Sequence, residues 1–394
     1  MSAPVAPLAA GDLERVIADF GTSRTLPAGA YADQAVFDWE VEHLFGSWLC
    51  VGRVDDLLEP GQIVALPTLS GSLLVSRDAG GEVRGFRNVC RHRGHELLPE
   101  GAAIDARQIR CPYHSWAYRL DGTLRTAPTF TQAPDFDATD WPLVEVRSGV
   151  WRGWLFVDYS EHGPALADHV GNLDDVVAPY EPERLTRAAS HDYVAEANWK
   201  LIVENYQECY HCSTIHPALC KVSPPDSGHD LRTTGLWSGG TLDLMDGVET
   251  MSFDGTSGGV RLGGVDDELA REVLYIALWP NILISAHADY VMTHVLTPLA
   301  PDRTHIRCDW LFDPEAVSSD GFSPAYAVDF WDVTNREDWA ACEGVQRGIR
   351  SGGYRPGPLS VWETTLYQFQ RMVAEAYLGR GVSPPVVPPQ RVKA

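Results

Sequence analysis

The chain has 394 residues, of which 44% are hydrophobic and 22% charged, so it is long enough to form two domains that each bury a core. Its formal net charge of −23 disfavours nucleic acid or an anionic membrane surface as a partner, because both would repel it. No run of 18 apolar residues and no secretory leader pattern are present, so we expect a cytoplasmic protein with no membrane span.

Residues 46–160 are predicted to form a small antiparallel β domain, preceded by a segment, residues 1–45, that packs with the second domain. Short alternating runs flank tight turns, as at 72–77 and 82–86 on either side of an Asp-Ala-Gly-Gly sequence. The apolar run 150–157 is interpreted as the last strand of this domain.

The second domain, residues 161–382, is predicted to be an antiparallel sheet covered by helices from the end of the chain, an α+β fold. Ser323 is placed to cap one helix with Pro324 in its first turn, and residues 360–363 form a capping box for the next. The tail, 383–394, is too rich in proline to pack. The expected β-rich segments are 274–285, 290–296 and 305–312, and the expected helices are 324–349 and 360–378.

Two pairs of cysteine and histidine give the first metal-binding pattern. One residue separates Cys90 from His92, and 18 residues separate that pair from Cys111 and His114; each pair lies at the tip of a predicted hairpin. Two thiolates and two imidazoles suit a [2Fe-2S] cluster in which histidine replaces cysteine on one iron. A structural zinc site has the same ligand set, but zinc ribbons usually pair cysteine with cysteine. The spacing favours iron and sulfur.

The remaining cysteines have no metal-binding spacing. Eight cysteines in a chain of this length are too sparse for a disulfide-stapled secreted scaffold, so we expect reduced thiols. The other six are predicted to be small buried hydrophobic residues. They are Cys50, Cys209, Cys212, Cys220, Cys308 and Cys342.

A second pattern lies in residues 198–211, which are predicted to form a helix with Glu204, Glu208 and His211 near one face. His216 follows five residues after His211, and in an unbroken helix the two rings would point in different directions.

Pro217 changes that expectation. The residue before a proline is pushed out of the α region, so the helix should break near Thr214 and let His216 fold back towards His211. The two histidines are then candidate ligands of one metal ion.

An iron that binds dioxygen is typically held by two histidines and one carboxylate, with open positions. The best candidate for the carboxylate is Asp338, and Glu337, Asp332 and Glu343 are its rivals.

Together these residues resemble the catalytic subunits of Rieske oxygenases, over residues 26 to 379. The resemblance implies a small antiparallel β Rieske domain and a helix-grip-like catalytic domain. It implies that Cys90 and Cys111 bind one iron of the cluster, and that His92 and His114 bind the other. It also implies a mononuclear Fe(II) site, formed by His211, His216 and Asp338.

In this family an acid three residues before the first iron-binding histidine bridges to a cluster histidine of the neighbouring subunit. The matching residue is Glu208, opposite His114, and the bridge implies a homotrimer. Many members have aspartate there, whereas glutamate agrees with the subset that acts on quaternary ammonium compounds.

Residues 198–216, 278–292 and 331–351 look most like glycine betaine, stachydrine and carnitine-type monooxygenases. Such enzymes hydroxylate a methyl group on nitrogen, using O2 and electrons that NAD(P)H supplies through a separate flavin and iron–sulfur reductase. A substrate cation needs aromatic faces, and four tryptophans are candidates, although each one singly is more often a core residue. They are Trp237, Trp279, Trp339 and Trp362.

Three alternatives stay open. Within the aromatic ring-hydroxylating dioxygenase family, the chain would be an aromatic-acid ring hydroxylase or O-demethylase. Outside it, the chain would be a Rieske ferredoxin with an appended domain, or a binding module stabilised by zinc.

Overall fold

The computed structural model describes residues 4–105, 107–130, 135–160 and 163–386. They divide into two compact units. Residues 41–166 form the smaller unit, and the residues before 41 combine with those after 166 in the larger one. Most of the predicted proline-rich tail, from 387 onwards, lies outside the described residues. Among those described, no helix is both long and apolar enough to cross a membrane.

The helices and strands are numbered in chain order. The α-helices are α1 (Ala10–Val16), α2 (Gly29–Ala32), α3 (Gln34–His43), α4 (Val54–Leu57), α5 (Leu166–Val170), α6 (Leu173–Val177), α7 (Trp199–Tyr206), α8 (Cys212–Ile215), α9 (Leu219–Val222), α10 (Pro314–Ser318), α11 (Ala325–Arg350) and α12 (Thr364–Tyr377). The strands of the smaller unit are β1 (Leu49–Arg53), β2 (Gln62–Leu66), β3 (Leu73–Arg77), β4 (Val83–Arg87), β5 (Ala103–Asp105), β6 (Gln108–Arg110), β7 (Ala117–Arg119), β8 (Leu124–Thr126), β9 (Glu145–Trp151) and β10 (Trp154–Asp158). Those of the larger unit are β11 (Thr186–Ala195), β12 (His229–Asp230), β13 (Trp237–Asp243), β14 (Glu272–Leu278), β15 (Ile282–Ala286), β16 (Tyr290–Ala300) and β17 (Arg303–Phe312).

The smaller unit consists of a seven-stranded sheet, in the order β1-β10-β9-β4-β3-β2-β5, and a three-stranded sheet, β6-β7-β8. All pairs are antiparallel, as expected. The interpretation of 150–157 as one strand is wrong. Arg152 and Gly153 have φ of 48° and 86°, and this pair of left-handed residues makes the tight turn of a hairpin between β9 and β10.

The larger unit has one seven-stranded antiparallel sheet, in the order β11-β17-β16-β15-β14-β13-β12. The expected β-rich segment 274–285 is two strands, β14 and β15, joined by a turn at Pro280 and Asn281. Strands β11 and β13 are not among the expected elements. Helices α7, α11 and α12 pack together beside the sheet, and this confirms the α+β class.

Both C-terminal helices begin later than expected. Helix α11 starts at Ala325, so Pro324 is its N-cap rather than its first helical residue. Helix α12 starts at Thr364, although the capping-box contact does form: the Ser360 amide donates to the Glu363 carboxylate at 2.5 Å. The contact closes a turn that precedes the helix, because Glu363 itself has non-helical backbone angles.

Candidate metal centres and the adjoining cavity

Two loops of the smaller unit hold the predicted cluster ligands. Cys90 and His92 follow β4, whereas Cys111 and His114 lie between β6 and β7. The second loop is a tight turn in which the Ser115 amide donates to the Cys111 carbonyl at 3.1 Å. Ser115 has φ of 61°, a left-handed conformation that reverses the chain directly after His114.

The thiols of Cys90 and Cys111 are almost fully buried, at 3% and 1% exposure. The rings of His92 and His114 lie 4.6 Å apart, centre to centre. The Nδ1 atom of His92 is buried and has no hydrogen-bond partner among the described residues. A buried polar atom without a partner is costly, and a metal ligand bond would satisfy it. The donor set therefore fits a cluster held by two thiolates and two imidazoles.

Tyr118, which sequence reasoning missed, lies beside this site. Its hydroxyl is 3.4 Å from the Cys90 sulfur and accepts a bond from the Arg91 amide at 3.0 Å, so its own proton is free to point at sulfur. Burial raises the pKa of the Cys90 thiol, and the bond from Tyr118 opposes that shift. Hydrogen bonds to sulfur are one of the means by which a protein sets the potential of such a cluster.

The helix predicted over 198–211 is wrong in its second half. Helix α7 ends at Tyr206. The Glu208 carboxylate then accepts hydrogen bonds from the backbone amides of Tyr210 and His211, the latter at 3.3 Å. These amides would otherwise donate within a continuing helix.

The predicted break near Thr214 is confirmed to within one residue. Helix α8 runs to Ile215, and the chain leaves the α region at His216 itself, with φ of −115° and ψ of 68°. The reason is that Pro217 restricts the residue directly before it.

The expectation of reduced, buried thiols is wrong for Cys209 and Cys212. The two form a disulfide across the turn between α7 and α8, with Cα atoms 4.9 Å apart, a separation that a disulfide readily spans. Cys50, Cys308 and Cys342 are buried free thiols, as expected, whereas Cys220 is only partly buried.

The three predicted iron ligands lie close to one another. They are His211, His216 and Asp338. Oδ1 of Asp338, on α11, lies 2.8 Å from Nε2 of His216 and 3.4 Å from Nε2 of His211. Within the described part of the chain, one ligand atom from each of the three lies within 4.8 Å of the others. Two imidazoles and one carboxylate at such distances fit a single iron with open coordination positions.

The rivals of Asp338 have other partners. Glu337 accepts a hydrogen bond from Nδ1 of His216 at 2.8 Å. Asp332 accepts from the Tyr193 hydroxyl at 2.8 Å, and Glu343 accepts from the amide of residue 196. Glu337 therefore orients a predicted ligand and leaves its Nε2 directed at Asp338.

Glu208 orients the other predicted histidine ligand, His211, in the same way. Its Oε1 lies 2.5 Å from Nδ1 of His211, which turns Nε2 of that ring towards Asp338. Burial lowers the pKa of His211, but the bonds with Asp338 and Glu208 outweigh it and raise the pKa to about 10. Without metal, the charged ring and the carboxylates hold one another in place.

Glu204, predicted to share a face with Glu208, is not part of this group. Its carboxylate is buried and accepts a hydrogen bond from Tyr31 at 2.9 Å. Burial raises its pKa to about 7, against the opposing bonds from Tyr31 and Gln370.

A cavity of about 950 Å3, including its open mouth, lies against the triad. Of the four candidate tryptophans, Trp339 and Trp362 line it, whereas Trp237 and Trp279 do not. Aromatic residues missed by sequence reasoning complete the wall: they are Tyr206, Tyr275 and Trp331.

Three residues of the cavity lining have buried polar atoms that lack a partner. The Tyr275 hydroxyl, Nδ1 of His294 and Nε1 of Trp339 are buried without a hydrogen-bond partner among the described residues. Burial lowers the pKa of His294 to about 4, so its ring is neutral at pH 7.

Two adjacent positions of the cavity wall are glycines. Gly239 and Gly240 of β13 both line it. A Cβ atom at Gly239 would lie 2.2 Å from the Tyr275 carbonyl oxygen, and one at Gly240 would lie 2.1 Å from the His229 carbonyl oxygen. Only glycine fits between the neighbouring strands at these two positions.

Comparison with known families decides the identity of the chain. Residues 47–137 match the model of the Rieske [2Fe-2S] domain, and residues 182–379 match that of the ring hydroxylating alpha subunit, catalytic domain. The chain belongs to the Rieske oxygenase family of ring-hydroxylating alpha subunits. The predicted resemblance and the predicted class of enzyme are thereby confirmed.

Individual relatives of this Rieske oxygenase agree with that result. The glycine betaine monooxygenase oxygenase subunit of Pseudomonas aeruginosa is 30% identical, over 86% of this chain and 85% of its own. The carnitine monooxygenase oxygenase subunit of Escherichia coli K12 is 30% identical, over 84% of this chain and 86% of its own. The crystal structure of the quaternary ammonium Rieske monooxygenase CntA with L-carnitine has the same fold, with a TM-score of 0.73 at 24% identity over 94% and 99% of the two chains.

The cofactors of this Rieske oxygenase follow from its two domains: a Rieske [2Fe-2S] cluster and a mononuclear non-haem iron. The catalytic domain disfavours a plain Rieske ferredoxin, and the enzyme family disfavours a zinc-stabilised binding module. Which residues bind each metal stays a prediction.

Proposed function

We propose that this Rieske oxygenase is a monooxygenase that N-demethylates a quaternary ammonium compound, the class to which glycine betaine belongs. One atom of O2 hydroxylates an N-methyl group, and the other leaves as water after taking up two protons and two electrons that NAD(P)H supplies through the reductase. The hydroxylated product collapses to formaldehyde and the demethylated amine. The observation that carries the proposal is the aromatic and acidic wall of the cavity beside the triad. The substrates named for the relatives support it.

Aromatic rings form the larger part of that wall. A quaternary ammonium ion has no N–H to donate, so it is bound mainly by ring faces and by opposite charge. Tyr206 and Tyr275 lie 5.8 Å apart, centre to centre, and Tyr275 and Trp331 lie 6.4 Å apart. In the described chain, neither lysine nor arginine lines the cavity, so no side chain of fixed positive charge repels a cation.

The metal ligands are proposed as the resemblance implies. Cys90 and Cys111 would hold one iron of the cluster, and His92 and His114 the other. His211, His216 and Asp338 would hold the mononuclear iron. When bound, the cluster supplies one-electron storage and the mononuclear iron supplies dioxygen activation.

The chain's own residues prepare this chemistry. Glu208 and Glu337 fix the tautomer and the orientation of the two histidine rings through their Nδ1 atoms. The Tyr275 hydroxyl and the neutral His294 ring offer buried polar contacts, and the aromatic wall excludes water from the reacting methyl group.

The proposal can be tested by assaying the holoenzyme with NADH, a generic flavin and iron–sulfur reductase, and a panel of substrates. We expect a quaternary ammonium compound to accelerate oxygen uptake with one formaldehyde released per O2 consumed. An aromatic acid that accelerates uptake instead would favour the alternative, a ring hydroxylase or O-demethylase of the same family.

Glu208 is further proposed to connect subunits of a homotrimer, with its carboxylate facing His114 of the partner subunit. In Glu208→Ala, both metals should stay bound and the cluster should still be reduced, but its absorbance should no longer recover when substrate and O2 are added. Glu208→Asp, the commoner residue of the family, should restore that recovery in part. Normal turnover by Glu208→Ala would refute the bridge. A separate reductase and a cytoplasmic location belong to the same proposal.

A further inference from the structure

A second, smaller cavity lies inside the larger unit and has no place in the chemistry described so far. Its volume is about 230 Å3, open space at its rim included. All nine residues that line it are buried. Eight of them are apolar and the ninth is a serine; the six that matter below are Val203, Ser238, Ala277, Leu283, Phe369 and Met372.

This small cavity offers little to a water molecule. A buried water usually makes about two to four hydrogen bonds with groups that would otherwise lack a partner. The Ser238 hydroxyl is already used, because it donates to Oε1 of Gln207 at 3.0 Å. An apolar cavity of this kind stays dry and takes up small apolar molecules instead.

The sheet register puts the small cavity on the same face as the large cavity beside the triad. Ser238 of β13 pairs with Ala277 of β14, and Gly240 pairs with Tyr275. Alternate residues of a strand point to one face, as do directly paired residues, so all four share a face. Ser238 and Ala277 line the small cavity, whereas Gly240 and Tyr275 line the large one. The step between them is two residues, which is about 7 Å along the strands.

Two helices also line both cavities, in the same order. At the end of α7, Val203 lines the small cavity and Gln207, four residues later, lines the large one. On α12, Phe369 lines the small cavity and Thr365, four residues earlier, lines the large one. Residues four apart on a helix are neighbours. The two cavities are therefore adjacent, and the hydrogen bond between Ser238 and Gln207 lies where they meet.

We infer that the small cavity is a binding site for dioxygen, from which the gas passes to the large cavity beside the triad. Dioxygen is small and apolar, so its transfer from water to apolar surroundings is favourable. A substrate that fills the large cavity would obstruct its mouth, and an adjoining site for O2 avoids that route. The inference goes beyond the proposed function, because it holds for any substrate that this oxygenase accepts.

Crystals of the holoenzyme pressurised with krypton test the binding site directly, since krypton is an apolar gas that anomalous scattering locates. We expect krypton between Ala277, Leu283 and Met372. In Ala277→Val, the two added carbon atoms should fill the cavity and exclude the gas. A cavity of the natural protein that stays empty under pressure, or that holds an ordered water which krypton does not displace, would overturn the inference.

Oxygen kinetics with the most active substrate of the panel test the passage to the large cavity. In Ala277→Val, we expect kcat/KM for O2 to fall about threefold or more, while kcat/KM for the substrate at saturating O2 stays the same because its own cavity is untouched. Ala286→Val is the matched control and should change neither constant: it adds the same two carbons at a buried alanine of the same sheet that lines neither cavity.

Ser238→Thr is a second variant that fills the small cavity. It adds one methyl group and keeps the hydroxyl that donates to Gln207, and threonine is favoured in strands. We expect krypton occupancy and kcat/KM for O2 to fall in the same direction as in Ala277→Val, so the test stands even if that variant fails to fold. An unchanged kcat/KM for O2 in a variant that excludes krypton would overturn the inference. So would an equal loss in Ala286→Val, which would show only a general effect of overpacking.

Discussion

Glu204 lies four residues before Glu208, yet its carboxylate is buried under Tyr31 and does not line the cavity. Burial raises its pKa to about 7, above the ordinary value of 4.5. The folded state therefore binds this proton more tightly than the unfolded chain. The resulting stabilisation is fully present below pH 4.5 and is lost as the pH rises through 7, a change of about 3 kcal/mol.

Glu204→Gln mimics the protonated side chain, so it should remove this part of the pH dependence. Between pH 5 and pH 8, we expect the free energy of unfolding, measured with urea, to fall by about 2.5 kcal/mol less in the variant than in the natural protein. Glu196→Gln, at an exposed glutamate, is the matched control. Identical pH dependence in all three proteins would contradict the assignment.

At the scale of helices, one buried ion pair ties α3 to α7. Nζ of Lys200 lies 2.5 Å from Oε1 of Glu40, and both side chains are fully buried. The indole of Trp199 and the hydroxyl of Tyr377, on α12, also donate to Glu40. Burial lowers the pKa of Lys200, and Glu40 opposes the shift. The charges are thus held by each other rather than by water.

Lys200→Met would leave Glu40 as an unpaired buried charge. We expect a loss of about 3–5 kcal/mol in the free energy of unfolding, and recovery of much of it when Glu40→Gln is added. Arg347→Met, which removes the partner of Glu343 in an exposed pair on α11, should cost at most about 1 kcal/mol. Equal losses in the two single variants would show that the buried pair has no special role.

Elements defined by nearby residues were predictable from the sequence. The hairpin of β3 and β4 follows from a four-residue turn signal, and the Cys90–His92 and Cys111–His114 spacings identify the loops without any long-range information. The hairpin of β9 and β10 was missed because Arg152 gives no sign of its left-handed backbone, which glycine would have given.

Features that depend on distant or side-chain contacts were not predictable. Helix α7 ends because the Glu208 side chain caps two backbone amides, a contact that helix propensity does not reveal. Ser238 and Ala277 share a sheet face only through the register of β13 and β14. Asp338 was selected from four acids by resemblance, and its distance to His216 depends on how α11 packs against α7.

At the scale of the whole molecule, the two predicted metal sites lie in different units. Cys90, His92, Cys111 and His114 lie between residues 41 and 166, and the triad lies in the other unit. Each site can therefore be removed by itself.

Metal analysis of two variants checks this separation. Cys111→Ser should lose the visible spectrum and the labile sulfide and keep about one iron per chain, whereas His216→Ala should keep about two irons and two sulfides. The natural chain should hold about three irons. A colourless natural protein that holds zinc would contradict both the cluster and its ligands.

The paired glycines of β13 limit how this enzyme can be re-engineered. Any side chain at Gly239 or Gly240 would collide with the main chain of the adjacent strand, so libraries that aim to shrink the cavity from this side would mostly yield misfolded protein. Thr334, on the helical wall formed by α11, lines the cavity with a side chain whose hydrogen bond stays within the helix, to the Phe330 carbonyl. Directed evolution towards bulkier or smaller amines should therefore begin from the helix and leave the sheet intact.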